Sequence, residues 1–261
     1  MSQRDDNPSS ATAAAAADSK RHKRPIIVGI AGGTGSGKTT IAAKICKVFG
    51  GGEWREESNC SDDESKIVHL SHDDYYKDLS HLPLDTRAKT NFDHPSSLET
   101  SLLISHLRDL LEGKSITVPR YDFKRHCRWK EGEVDDLGRS RGRVICMNDE
   151  KRIILVEGIL ILSVKELADM MDLKVFVDAT ADIRLLRRIQ RDTIERGRTI
   201  PEIMTQYSNT VRPMHNEFVE PSKRHADLVV HGHDEDEEIG WKRMDLAVRV
   251  ICNHLTIEIE R

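Results

Sequence analysis

The chain has 261 residues, enough for one α/β domain with additions or at most two small domains. Its formal net charge is −4 and its pI is about 6.3, so no global basic excess points to nucleic acid or to a membrane surface. Hydrophobic residues make up 38%, enough for a core, yet no apolar run approaches the roughly 18 residues that a transmembrane helix needs.

Residues 1–24 are polar and Ala/Ser-rich and are expected to form a disordered tail before a domain spanning 25–261. The alanine run Ala13–Ala17 is flanked by Asp5, Asp6 and Asp18, which disfavours a signal or transit peptide. Ile26-Ile27-Val28-Gly29-Ile30 reads as a buried strand, followed by a glycine-rich turn and a helix over about 38–48 that Gly50-Gly51-Gly52 stops. The acidic stretch 53–66 reads as a surface loop, and Ile67-Val68-His69-Leu70 as a second strand running into Asp73-Asp74. Ser96-Ser97-Leu98-Glu99 has the spacing of a capping box ahead of a helix carrying Leu102, Leu103, Leu107 and Leu110. Residues 115–150 read as a β-hairpin excursion away from the core. Ile153–Val156, Leu173–Val177 and Ala226–Val230 are three more strands, and 239–255 is an amphipathic closing helix. Strands alternating with helices imply a five-stranded parallel sheet covered on both faces. The cysteines, Cys46, Cys60, Cys127, Cys146 and Cys252, are odd in number and widely spaced, which points to reduced thiols in a cytoplasmic protein.

Gly32-Gly33-Thr34-Gly35-Ser36-Gly37-Lys38-Thr39 matches the phosphate-loop pattern G-x-x-x-x-G-K-[ST] between a strand and a helix, the context the motif demands. Its backbone amides can cradle phosphates, Lys38 can reach the β/γ oxygens, and the Thr39 hydroxyl can bind Mg²⁺. Alone, the motif leaves kinase, GTPase and ATPase open. No N-K-x-D guanine-reading motif occurs, which argues against a regulatory GTPase. Acids follow three strands: Asp73 and Asp74, Glu157, and Asp178, where ligands of open α/β sheets bind. Arg184, Arg187, Arg188, Arg191, Arg196 and Arg198 are candidates for a lid over 184–206, and a solvated basic face is the alternative.

These pieces resemble the uridine kinase (uridine–cytidine kinase) family, within the phosphoribulokinase/uridine kinase superfamily. The resemblance runs from about Ile26 to Leu255. It rests on the phosphate loop, Ser71–Asp78, Asn91–Pro95, Tyr121-Asp122-Phe123, Val156–Leu160, Phe176–Asp178, Arg187–Asp192, Glu195–Arg198, Gln206-Tyr207 and Val211–His215. It implies a P-loop NTPase fold and ATP-dependent phosphorylation of uridine or cytidine at the ribose 5′-hydroxyl, with ATP or GTP and Mg²⁺, in a homotetramer. It also implies residue roles. Asp73 is the base, with Lys38, Arg188 and Arg191 acting on the transferring group. Gly32 through Thr39, Thr40 and Arg196 hold the nucleotide. Tyr76, Asp93, Tyr121, His126, Arg188, Arg198 and Gln206 bind the nucleoside, with Asp93 on the ribose hydroxyls and Tyr121 and His126 at the pyrimidine. Thr39 and Glu157 hold Mg²⁺, partly through water. Packing or capping roles are the alternatives for Tyr121, Asp93 and His126. Residues 129–143 and 53–63 look like insertions relative to the family. A phosphoribulokinase-like or pantothenate-kinase-like acceptor and a non-catalytic nucleotide-binding regulator are the rival functions.

Overall fold

The computed structural model describes residues 24–50, 65–130, 133, 142–148, 150–232 and 237–261. The expected tail up to residue 23, most of the loop 53–66 and most of the 129–143 insertion lie outside them. Arg24, assigned to the tail, lies against the fold, with Nη1 2.9 Å from Asp172 Oδ1.

Five strands form one parallel sheet: β1 (Ile26–Ala31), β2 (Ile67–Ser71), β7 (Ile153–Gly158), β8 (Leu173–Asp178) and β9 (Leu228–His231). Their spatial order is β2-β7-β1-β8-β9. The interior strand β7, between β2 and β1, is Ile-Ile-Leu-Val-Glu-Gly and is buried along its whole length, as a run without alternation requires when both faces are covered. On one face, Ile41 and Ile45 of α1 (Lys38–Phe49) pack with Met244, Val248, Ile251 and Leu255 of α9 (Glu237–Glu260). On the other, α3 (Thr100–Leu111) turns Leu103, Ile104, Leu107 and Leu110 onto the sheet. Each such fully buried aliphatic side chain is worth about 1.5–3 kcal/mol relative to exposure. The Arg-rich helix α5 (Ala181–Ile194) and α6 (Ile200–Gln206) follow β8. A continuing helical stretch then contains two π-turns, Tyr207–Val211 and His215–Val219.

Two expectations need correction. The spacing at Ser96–Glu99 does not make a capping box. Pro95 starts a 3₁₀ turn over Pro95–Ser97 whose cap is His94, with Nδ1 accepting from the Ser96 amide at 3.0 Å. Leu98 is extended and buried, Glu99 turns to Arg128 at 2.6 Å, and α3 starts at Thr100 without a side-chain cap. The realised capping box is Thr199 with Glu202, at the start of α6. The 115–150 segment is likewise not separate from the core. β3 (Ile116–Pro119) pairs antiparallel with β6 (Gly142–Ile145), and β4 (Tyr121–Asp122) with β5 (Cys127–Arg128). Ile116, Val118, Tyr121 and Ile145 are buried in the α3-side cluster, so the hairpin base is core.

His72, in the 3₁₀ turn His72–Tyr75 after β2, is 1% exposed, and its Nε2 lies 3.1 Å from Thr100 Oγ1. Burial pushes its imidazole from 6.5 down to about 4, against the opposing pull of Asp73. Between those two values the unfolded chain binds a proton that the folded chain does not, so stability present above pH 6.5 is lost as pH falls toward 4. We expect urea denaturation to show the parent losing roughly 3 kcal/mol more across that window than His72→Gln. Identical pH slopes for the two proteins would contradict this.

Candidate active site

The site is assembled beyond the carboxyl ends of the sheet strands. β1 ends at Ala31, and the chain turns through Gly32 to Gly37 into α1. Gly35 has φ +75°, and a Cβ there would sit 2.4 Å from the Arg184 carbonyl oxygen, so only glycine fits. α1 begins with no side-chain cap and no acid in its first turn, leaving its N-terminal amides to the loop. Lys38 is buried, an unusual place for an ammonium group, and the buried Ser36 hydroxyl has no hydrogen-bond partner among the described residues. Thr40 follows in the same turn, half-buried. This cradle fits a nucleotide's phosphates.

Thr39 Oγ1 donates to Glu157 Oε2 at 2.9 Å, and His69 Nε2 of β2 lies 3.5 Å from Glu157 Oε1. Burial would raise the Glu157 carboxyl, but His69, Lys38 and the Thr39 hydroxyl together hold it below the usual range. An ionised carboxylate paired with a hydroxyl at the phosphate loop is a donor set suited to Mg²⁺. Among the described residues no group of three or more His, Cys, Asp or Glu forms a metal cluster.

The acids after β2 act on different neighbours. Asp73 lies close enough to Tyr76, Asp93 and Arg196 to bias their titration, whereas Asp74 acts on Tyr75. Asp93 is buried, and burial raises its carboxyl despite Arg188 and a 3.0 Å hydrogen bond from Thr210 Oγ1. A narrow cleft joins Tyr76, Asp93, Tyr121, His126, Arg188, Arg196, Arg198 and Gln206. Its walls are aromatic. Tyr76 and Tyr121 have centroids 5.0 Å apart, and Phe92 stacks on His126 at 5.0 Å and 15°. His126 takes φ +51°, uncommon for a non-glycine residue. The Tyr121 hydroxyl is buried without a hydrogen-bond partner among the described residues. Asp178, the fourth strand-end acid, instead pairs with Lys223 at 2.5 Å.

The arginines meet at one carboxylate. Along α5 the buried residues are Arg184, Arg188 and Asp192, spaced i, i+4, i+8 on the face toward the loop. Asp192, with no exposed surface, is approached by Arg191 at 2.6 Å and by Arg188, Arg196 and Arg198 at 3.5 Å. Burial works to raise its carboxyl, and Arg196, Arg191 and Arg188 outweigh it and hold the group ionised. Burial pushes Arg196 and Arg198 below the ordinary guanidinium range, and repulsion from neighbouring arginines adds to it. Arg188 Nη1 donates to Thr34 Oγ1 at 3.2 Å, and Gln206 Oε1 accepts from Arg188 and Arg198, each at 2.8 Å. Arg196 lies over the Phe123 ring at 4.3 Å.

Arg184 and Arg187, the first two of the lid candidates, are held by backbone carbonyls. Arg184 Nε donates to Ala179 O at 3.1 Å and Arg187 Nη1 to Gly232 O at 3.0 Å. Sequence reasoning passed over Asp192, Thr210, His69, Phe92 and Phe123 as site residues. The available signal for Asp192 was one acid at i+4 from Arg188, on a helix too poor in apolar residues to pack conventionally.

A strand–glycine loop–helix cradle, an acid paired with the loop threonine and an arginine cluster beside a small-molecule cleft define a P-loop kinase of the α/β class. The family model described as the Phosphoribulokinase / Uridine kinase family matches residues 27–237, and the chain belongs to that family. It is 43% identical over 215 residues to a uridine kinase of Clostridium tetani, covering 82% of this chain and 90% of that one. A uridine kinase of Halalkalibacterium halodurans is 45% identical over 208 residues, covering 80% of this chain and 86% of the relative. A solved structure described as a possible uridine kinase from Bacillus stearothermophilus shares the fold, with TM-score 0.51, 18% identity, and coverage of 79% of this chain and 89% of that one.

Gly35→Ala is expected to weaken binding of a fluorescent ATP analogue by at least about thirtyfold. Gly113→Ala, at φ +77° with nothing within 4 Å and outside the phosphate loop, controls for a general effect of a glycine-to-alanine change on the fold and should leave that affinity alone. Equal binding by both variants and the parent would contradict the steric argument.

Proposed function

We propose that this protein transfers the γ-phosphoryl group of ATP to the 5′-hydroxyl of uridine or cytidine, giving the nucleoside monophosphate for pyrimidine salvage. The observation that carries this reading is Arg188. One of its nitrogens reaches Thr34 of the phosphate loop and the other Gln206 of the aromatic cleft, so donor and acceptor sites share a wall. The family membership and the identities above 40% to uridine kinases support it.

In this reading Lys38 and the loop amides hold the triphosphate. Thr39 and Glu157 would hold Mg²⁺, partly through water, and the bound ion supplies charge neutralisation at the β/γ oxygens. Asp73 accepts the proton of the 5′-hydroxyl. The 5′-oxygen bonds to the γ-phosphorus as the bond to the β–γ bridging oxygen breaks. Arg188, Arg191 and Arg196 stabilise the charge that moves onto the leaving diphosphate. Asp93 accepts from the ribose hydroxyls, and Tyr76, Tyr121 and His126 enclose the base, with Arg198 and Gln206 at its edge. The 184–206 segment acts as a lid that excludes water.

The aromatic cleft favours a nucleoside over a sugar phosphate or pantothenate, and the intact Lys38, Thr39, Asp73 and Glu157 favour turnover over a non-catalytic regulator. No described helix is long and apolar enough to cross a membrane. The homotetramer implied by the family resemblance is part of this reading, and the exposed Leu246, Val250 and Ile257 along α9 offer apolar surface for self-association.

An ADP-release assay across uridine, cytidine, ribulose 5-phosphate and pantothenate tests the reading. Turnover with the nucleosides is expected, and preference for either other acceptor would overturn it. In the same assay Asp73→Asn should lower kcat by roughly 10²–10⁴-fold, and Asp74→Asn much less. The reverse order would remove Asp73 as the base.

A further inference from the structure

The π-turn Tyr207–Val211 widens the helix beside the nucleoside cleft, and Thr210 lies within it. π-turns of this kind re-aim side chains and recur at functional sites. Thr210 Oγ1 is 3.0 Å from Asp93 Oδ2 and 3.1 Å from the Gln206 carbonyl, and its single proton can serve only one of them. The carboxylate is the stronger acceptor. The Asp93 amide is itself held, donating to Asn91 Oδ1 at 3.2 Å. The carboxylate is buried, so its orientation is set by the few groups that touch it. Gln206, one helical turn before Thr210, accepts from Arg188 and Arg198, which also line the cleft. One turn of helix therefore grips both the acid and the bases that flank the ligand.

We propose that Thr210 is a positioning and specificity-determining residue, whose hydroxyl occupies Asp93 Oδ2 and presents Oδ1 to the ribose. This rests on the reading of the cleft as a nucleoside site. Without the Thr210 hydroxyl, Asp93 is free to rotate and the contact that separates a ribose from a 2′-deoxyribose is lost. The loss falls on nucleoside recognition, since the hydroxyl touches neither the phosphate loop nor Asp73.

The test is steady-state kinetics of the full chain with uridine and 2′-deoxyuridine, for the parent, Thr210→Val, Thr210→Ala and Thr210→Ser. The valine variant keeps the shape and removes the hydroxyl. The alanine variant removes the hydroxyl without β-branching, in case valine disturbs the π-turn. We expect both to raise the uridine KM about tenfold against at most about a threefold fall in kcat. The kcat/KM preference for uridine over 2′-deoxyuridine should shrink by about fivefold or more. Serine should restore that preference to within about twofold. A preference unchanged in both hydroxyl-free variants would overturn the proposal, as would a loss that serine does not rescue. Absence of nucleoside turnover by the parent would bring down the functional reading itself, a result distinct from normal parent turnover with an unaltered preference.

Discussion

Four guanidinium groups cannot be gathered into one small volume without a counter-charge. At about 4 Å and an effective dielectric near 20, two like unit charges repel by about 4 kcal/mol. Asp192 supplies the counter-charge. It has no exposed surface, and Arg188, Arg191, Arg196 and Arg198 all lie within ion-pair distance of it. In the proposed reading the cations must be close together when the triphosphate arrives, yet stable before it does. A single buried carboxylate meets both needs, because the arginines keep donors to spare for a ligand.

The remainder of the site hangs on this cluster. Arg188 links it to Thr34 of the phosphate loop, and Gln206 ties Arg188 to Arg198. Arg196 lies over Phe123 and so joins the hairpin to α5. The parallel sheet supplies the other half. Residues Ser71 of β2 and Glu157 of β7 are register partners, which sets the turn bearing Asp73 beside the carboxylate facing Thr39. Polar groups thus come from strand ends on one side and from α5 and α6 on the other. The cleft lies where they meet, as the geometry of an open α/β sheet requires.

Much of this was legible in the sequence wherever a local rule decides. The phosphate loop has its residues within eight positions, and its three glycines with positive φ are dictated by backbone sterics alone. The strands carrying Ile27 and Ile154 are unalternated apolar runs, so their burial on both faces could be read directly. What escaped depends on contacts distant in the chain. The hydrogen bond from Thr210 to Asp93 spans 117 positions. Ser96 and Glu99 have the right spacing for a cap, but Pro95 and the pull of Arg128 on Glu99 decide otherwise. Tyr121 and Ile145 looked like parts of an excursion because the pairing of β3 with β6, which folds the hairpin base onto α3, has no local signature. Asp192 stands among arginines in the sequence and reads as an ordinary surface charge until the helix is seen to bury it.

The most direct test of the account is Asp192→Asn, which keeps the shape and removes the charge that gathers the arginines. Thermal melting and nucleoside-dependent ADP release should be measured on the same preparation. Removing one partner from a buried charge cluster is expected to cost about 3–5 kcal/mol of stability. At temperatures where the variant remains folded, kcat/KM for both ATP and nucleoside should fall at least about thirtyfold. A variant that melts with the parent and turns over at its rate would show that the arginines assemble without Asp192, and the central claim would fail.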